Sequence, residues 1–260
     1  MRPALIFAAV LLLAPMLTSA RASADAAATA AARRALREAV SAGRSEGLLR
    51  VRAQFQALSA AEPGSALLHY WVAVASWRVL PLVDDKKKAE PIARDGLAHC
   101  DAALAIDPHF AEALAMKGAL QGMSIRFNPA SMMTLGPQSE ANLSRARDMS
   151  LANPRIQFLR GIGTLHKPAA FGGGPAPALE MFKQAQALFA ADSAAADSTA
   201  PDWGRDDALL WAGRAAMETK DYAAARGYFT AALQANPANA WVRGRLLPAA
   251  EEALAGKAKP

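Results

Sequence analysis

The chain is poor in the residues that most often carry chemistry. It has one cysteine and four histidines in 260 residues. A lone Cys100 cannot close an intrachain disulfide, so stability has to come from packing. It stands in the apolar pattern of a helix and reads as a small buried hydrophobe. None of His69, His99, His109 and His166 has another histidine at the short spacing of a zinc site. His99 and Cys100 are adjacent, which on a helix points them about 100° apart and makes no nucleophile–base pair. Sequence spacing leaves open a site assembled from distant segments.

Long hydrophobic runs are also missing. The apolar run 4–17 is shorter than the roughly 20 residues of a membrane-spanning helix. With Arg2 before it and Ala22, Ser23 and Ala24 behind, it has the three parts of a secretory signal, and residues 1–24 are expected to be removed. No cysteine ends the run, so the acceptor of a lipoprotein anchor is absent. Without Arg2 and Arg21, 27 basic residues face 23 acidic ones, a net charge of +4. That charge is spread out, and no basic cluster interleaved with aromatics points to nucleic acid. The expectation is a soluble protein secreted across an inner membrane, periplasmic in a Gram-negative cell.

The remaining polar clusters have plain readings. Gly172, Gly173 and Gly174 lack the lysine and hydroxyl residue that follow in a phosphate-binding loop, and read as a tight turn into a helix. The run from Asp84 to Lys88 reads as a solvated loop, and Glu251 with Glu252 as an exposed helix face. No enclosed pair of carboxylates is visible for acid–base work. No enzyme activity, cofactor or metal is expected.

What the chain does have is alanine, few β-branched residues and a repeat. Between Asp206 and Asn239, small and large apolar residues alternate at a period of about 34: Leu209, Gly213, Tyr222, Ala225, Phe229, Ala232 and Pro237. Gly213 and Ala225 let two helices approach, while Leu209, Tyr222 and Phe229 fill the space between them. Asp221 caps the second helix, and Asn236-Pro237 stops it. This stretch resembles a tetratricopeptide repeat (TPR), with Leu209 where a large aromatic often stands. The Phe-Gly-Gly-Gly turn at Phe171, followed by Pro201, Trp203 and Gly204, is similar to a group of exported bacterial TPR proteins of unassigned role.

Stops at Pro63, Pro108, Pro154 and Pro237 lie 45, 46 and 83 residues apart. They divide residues 25–260 into about five units, near 32–65, 66–110, 111–156, 157–191 and 206–239, with a cap over 240–255. The expected fold is all-α, a right-handed solenoid of TPR-like hairpins in one array, closed by a C-terminal capping helix. Enlarged turns are expected over 79–88 and 124–138 and around Phe171. They should be neighbours on one edge, forming a lip with Phe127, Met132, Met133 and Phe171.

The TPR resemblance implies that first helices line a concave groove. It places Tyr70, Val74, Trp77 and Arg78 there, then Glu112 and Met123, then Asp207, Arg214, Met217 and Glu218. Tyr70 and Trp77 equally suit packing between repeats. The implied function is a non-catalytic scaffold holding a protein or peptide in the groove. The alternative is an exported small-molecule binder whose lip closes over its ligand, similar in outline to TPR proteins that accompany TRAP-type transporters.

Overall fold

The computed structural model describes residues 26–192 and 200–257. The expected signal, 1–24, lies outside the described residues, as does 193–199, most of the stretch from Asp192 to Trp203 that is rich in alanine, serine and aspartate and reads as a polar loop. All regular structure among the described residues is helical. The helices are α1 (26–42), α2 (Ser45–Ala61), α3 (Ala66–Val79), α4 (Lys86–Ile106), α5 (Ala111–Phe127) and α6 (Met132–Met149). They continue with α7 (Pro154–His166), α8 (Pro175–Ala191), α9 (Arg205–Glu218), α10 (Tyr222–Ala235) and α11 (Leu247–Lys257).

Each helix from α2 onward packs against the next, and α3, α5, α7 and α9 also touch in succession. Odd-numbered helices therefore form an inner layer and even-numbered ones an outer layer. Their burial patterns show the difference. In α4 the buried positions are Ala89, Ala93, Gly96, Cys100 and Ala103, and in α8 they are Ala178, Phe182, Ala185 and Phe189. Steps of three and four give one apolar stripe per outer helix. In α3 every residue from Tyr70 to Trp77 is buried, because neighbours cover it on all sides.

Within the later hairpins a glycine of the inner helix meets a large side chain of the outer one. A Cβ at Gly118 would lie 2.9 Å from Leu143, at Gly161 2.6 Å from Phe182, and at Gly213 2.4 Å from Phe229. Hydrogen fits there and a methyl group would not. The partners sit at equal distances from the turn: Gly213 and Phe229 are each eight residues from Asp221. Asp221 caps α10 as expected, accepting from the Ala224 N–H at 3.0 Å. Lys220, at φ 62°, closes α9, with the Asp221 N–H reaching the Ala216 carbonyl at 2.9 Å.

Two enlarged turns are smaller than expected. The segment 124–138 is mostly helix: α5 runs to Phe127 and α6 starts at Met132. Pro137 lies inside α6 as its sixth residue, where it forfeits only the bond to the Met133 carbonyl near an exposed end. Phe127 consequently faces inward and is buried, not part of a lip. Likewise α4 starts at Lys86, before the expected Ala89, and carries Pro91 within it. The glycine turn is as tight as its residues suggest. A Cβ on Gly173 would lie 2.0 Å from the Lys167 carbonyl oxygen, and Gly174 adopts φ 113°.

The stack does not end as an open array. Arg33 of α1 pairs with Asp202 at 3.0 Å and donates to the Ala200 carbonyl at 2.7 Å. Ser41 of α1 accepts from Asn236 at 3.0 Å, and Asn236 also donates to Asp206 at 2.7 Å. The first repeat is tied to the fifth.

Candidate functional site

The curvature brings segment 200–207 into the space that the inner helices enclose. Trp203, in a stretch that reads as a polar loop, is buried against Trp77 and Phe158, with ring centroids 6.0 and 6.1 Å away. Its indole N–H donates to the Tyr70 hydroxyl at 2.9 Å. Gly204, at φ 106°, permits the approach, since a Cβ there would lie 2.7 Å from the Phe189 ring.

Two buried ion pairs flank this indole. Arg78 donates through Nη1 and Nη2 to both carboxylate oxygens of Asp207, the former bond at 2.7 Å. Its guanidinium carbon lies beside both Trp77 and Trp203, 4.9 and 5.1 Å from their centroids. Burial opposes the Arg78 charge, Asp207 outweighs burial, and its pKa ends above the usual value. Nearby, Glu112 accepts from the Tyr70 hydroxyl at 2.9 Å, from Asn153 at 2.7 Å and from Arg155 Nε at 2.8 Å. Arg155 also bonds Asp192 at 2.9 Å. Burial and the Glu112 charge both push the Tyr70 phenol well above its usual value, so it stays protonated. Each buried charge has a partner, which is the condition under which burying it is tolerated.

The expected groove residues therefore separate. Tyr70, Val74, Trp77, Glu112 and Asp207 are buried, and Arg78 is bonded to the chain's own carboxylate. They are interior packing residues, because Trp203 and α9 occupy the space a partner would need. Met123, Arg214 and Met217 stay half-buried and Glu218 is exposed. Of the residues assigned to the lip, Met132, Met133 and Phe171 are exposed, and so is Leu82. Gly43, Arg44 and Glu46 share a surface depression with Pro81, Leu82 and Asp84, so the first two turns are adjacent. Arg126 pairs with Asp84 at 3.0 Å and Lys167 with Glu140 at 2.6 Å, linking the later turns along the same edge.

The histidines give one pairing that sequence spacing hides. His69 and His99 meet across the α3–α4 hairpin, Nδ1 to Nδ1 at 2.8 Å, while His69 Nε2 lies 3.1 Å from the Pro63 carbonyl. A proton on His69 Nε2 serves that carbonyl, so His99 donates and His69 accepts. The 2.8 Å gap is a hydrogen bond and is too short to seat a metal between nitrogens that each need about 2.0 Å. Burial holds the His99 pKa below its usual value against the pull of Asp95, and His69 adds to the lowering. Cys100 is fully buried, and burial raises its thiol pKa strongly, which leaves it inert. Among the described residues no group of three or more metal-ligating side chains converges.

The fifth unit holds a different arrangement. Arg214 of α9 meets both Trp211 of the same helix and Trp241, which precedes α11 and is 43% exposed. The Arg214 guanidinium lies 4.1 Å from the Trp211 centroid and 5.3 Å from that of Trp241. His166, at the end of α7, stands edge-on to Trp211 at 5.9 Å.

In class, the molecule is an all-α helical-repeat protein with a TPR-like fold. Its structure is similar to the HusA haemophore from Porphyromonas gingivalis, with a TM-score of 0.61 and 23% identity over 73% of this chain and 92% of that one. It is also similar to a thermophilic TPR protein of Thermus thermophilus, with a TM-score of 0.56 and 15% identity over 82% of this chain and 92% of that one. No protein-family model matches the chain, and no curated protein sequence matches it. No helix among the described residues is long and apolar enough to cross a membrane.

Proposed function

We propose that the chain is an exported, non-catalytic scaffold that binds a protein or peptide partner on its lip, in the periplasm of a Gram-negative cell. The observation that carries this reading is the contrast between a filled interior and an apolar edge. Leu82, Met132, Met133 and Phe171 are 42, 44, 83 and 73% exposed, on successive turns of one side of the stack. Large apolar side chains grouped in this way mark contact surfaces, and methionine adapts to varied partner shapes. The groove that a TPR resemblance implies is not free, since Trp203 fills it over the second to fourth units.

The test is a Met133→Ser, Phe171→Ser variant exported with its own signal and crosslinked in the cell. Loss of a partner that the unmodified chain retains, at unchanged helical content, supports the lip. Equal recovery from both proteins rules it out.

Likeness to a haemophore favours a second reading, an exported small-molecule binder. Two surface depressions are open to solvent, one lined by Arg52, Ile92, Arg94 and Asp95 and the other along the first two turns. Native mass spectrometry of the mature chain separates the two readings. An adduct of small, defined mass supports the binder, and a bound polypeptide supports the scaffold.

A further inference from the structure

Arg78 and Arg214 sit in the same kind of clamp, each with its guanidinium over two indoles. Indole rings crowd the guanidinium carbon in both places, and what such a cation offers a ligand is its edge, a planar row of N–H donors. At Arg78 the edge is taken by the two oxygens of Asp207. At Arg214 no described residue takes it, since among them the side chain finds no hydrogen bond and no ion pair. The titratable groups that interact with it are Glu218, one turn along α9, and His166 on α7. Glu218 is exposed and not in bonding contact with Arg214.

We propose that Arg214, Trp211 and Trp241 form a binding site for a small organic carboxylate with a flat apolar body. The carboxylate would meet the Arg214 edge as Asp207 meets Arg78, two oxygens against two donors. The apolar body would lie along Trp241 and Met217, both partly open to solvent. A simple inorganic anion would use the charge and leave the indole surface unused. A neutral ring would use the indole surface and leave the donors unpaired. Only a ligand carrying both parts uses the whole arrangement. The site is separate from the lip and does not rest on the partner-binding reading.

Isothermal titration of the mature chain with 2-naphthoate tests the proposal, with 2-naphthalenemethanol as the neutral counterpart. Saturable naphthoate binding is expected, and the alcohol should not bind at the same concentration. Arg214→Gln should weaken naphthoate about tenfold or more. Arg214→Lys should also weaken it, since lysine keeps the charge and loses the planar pair of donors. Trp241→Ala, at a partly exposed position, tests the apolar half without touching the interior. Glu218→Gln should tighten binding by removing a competing charge. Absence of naphthoate binding up to about millimolar concentration overturns the proposal. So does equal affinity of the unmodified chain and both the Arg214→Gln and Trp241→Ala variants, or equal binding of the alcohol.

Discussion

The two clamped arginines show how one local motif serves opposite ends. Arg78 stands where the stack curves onto itself, and the carboxylate that completes it comes from 129 residues away. Arg214 stands about two turns further along α9 than Asp207, beside Trp241, which brings an indole but no carboxylate. The first arginine is a structural tie enclosed by the stack. The second is a half-buried cation with no hydrogen-bonded or ion-paired partner among the described residues. Position along the stack, and not residue type, decides whether such an arginine meets a carboxylate of its own chain.

The comparison breaks most visibly at Trp203. Trp203→Ala removes the indole over Arg78, the bond to Tyr70 and the filling of the interior, and should cost about 3–5 kcal/mol in urea unfolding. Asp207→Asn leaves the buried Arg78 charge without a counterion. Its cost should be about 3 kcal/mol and should change little with salt, because the pair is shielded from solvent. Gly161→Ala forces a methyl against Phe182 and should cost about 1–3 kcal/mol, with the helical spectrum unchanged. Arg214→Gln, by contrast, breaks no hydrogen bond or ion pair among the described residues and should cost less than about 1 kcal/mol. A cost as large as that of Asp207→Asn would show that Arg214 is also a structural tie.

The smallest effect is one of pH. Burial first, and then Arg214, hold His166 below its usual pKa of 6.5, so the fold favours the neutral ring. Its contribution is intact above pH 6.5 and is lost as the pH falls through the lowered value. His166→Phe should flatten this part of the acid limb when denaturation midpoints are compared at about pH 7.5 and 5.5.

The fifth hairpin is legible in the sequence because its determinants are local. The Asp221 cap, Gly213 facing Phe229, and the stop at Asn236 lie within one repeat, and the structure shows each. The proline rule misleads where prolines sit early in a helix, since Pro91 and Pro137 lose one bond near an exposed end and do not stop the chain. The His69–His99 contact has a usable signal. Both lie fifteen residues from Asp84, and antiparallel helices bring together residues equidistant from their turn. The filled groove has almost none. It depends on small rotations between successive repeats, which add up over the stack and are set by packing no single unit contains. Trp203 therefore reads as part of a loop, and only the closed curve makes it core. The glycine after it is the one hint, because Gly204 allows a backbone approach that a side chain would block.

Arrays of this kind ordinarily lengthen by copying a unit, since each new hairpin needs only a neighbour to stack on. The clasp of Arg33 with Asp202 and of Ser41 with Asn236 removes that freedom. One more hairpin between α2 and α9 would carry the two ends past each other and unmake both the clasp and the seat of Trp203. The number of repeats is thus itself a constraint of this fold, and a change in a turn or in the cap disturbs it far less than a change in length.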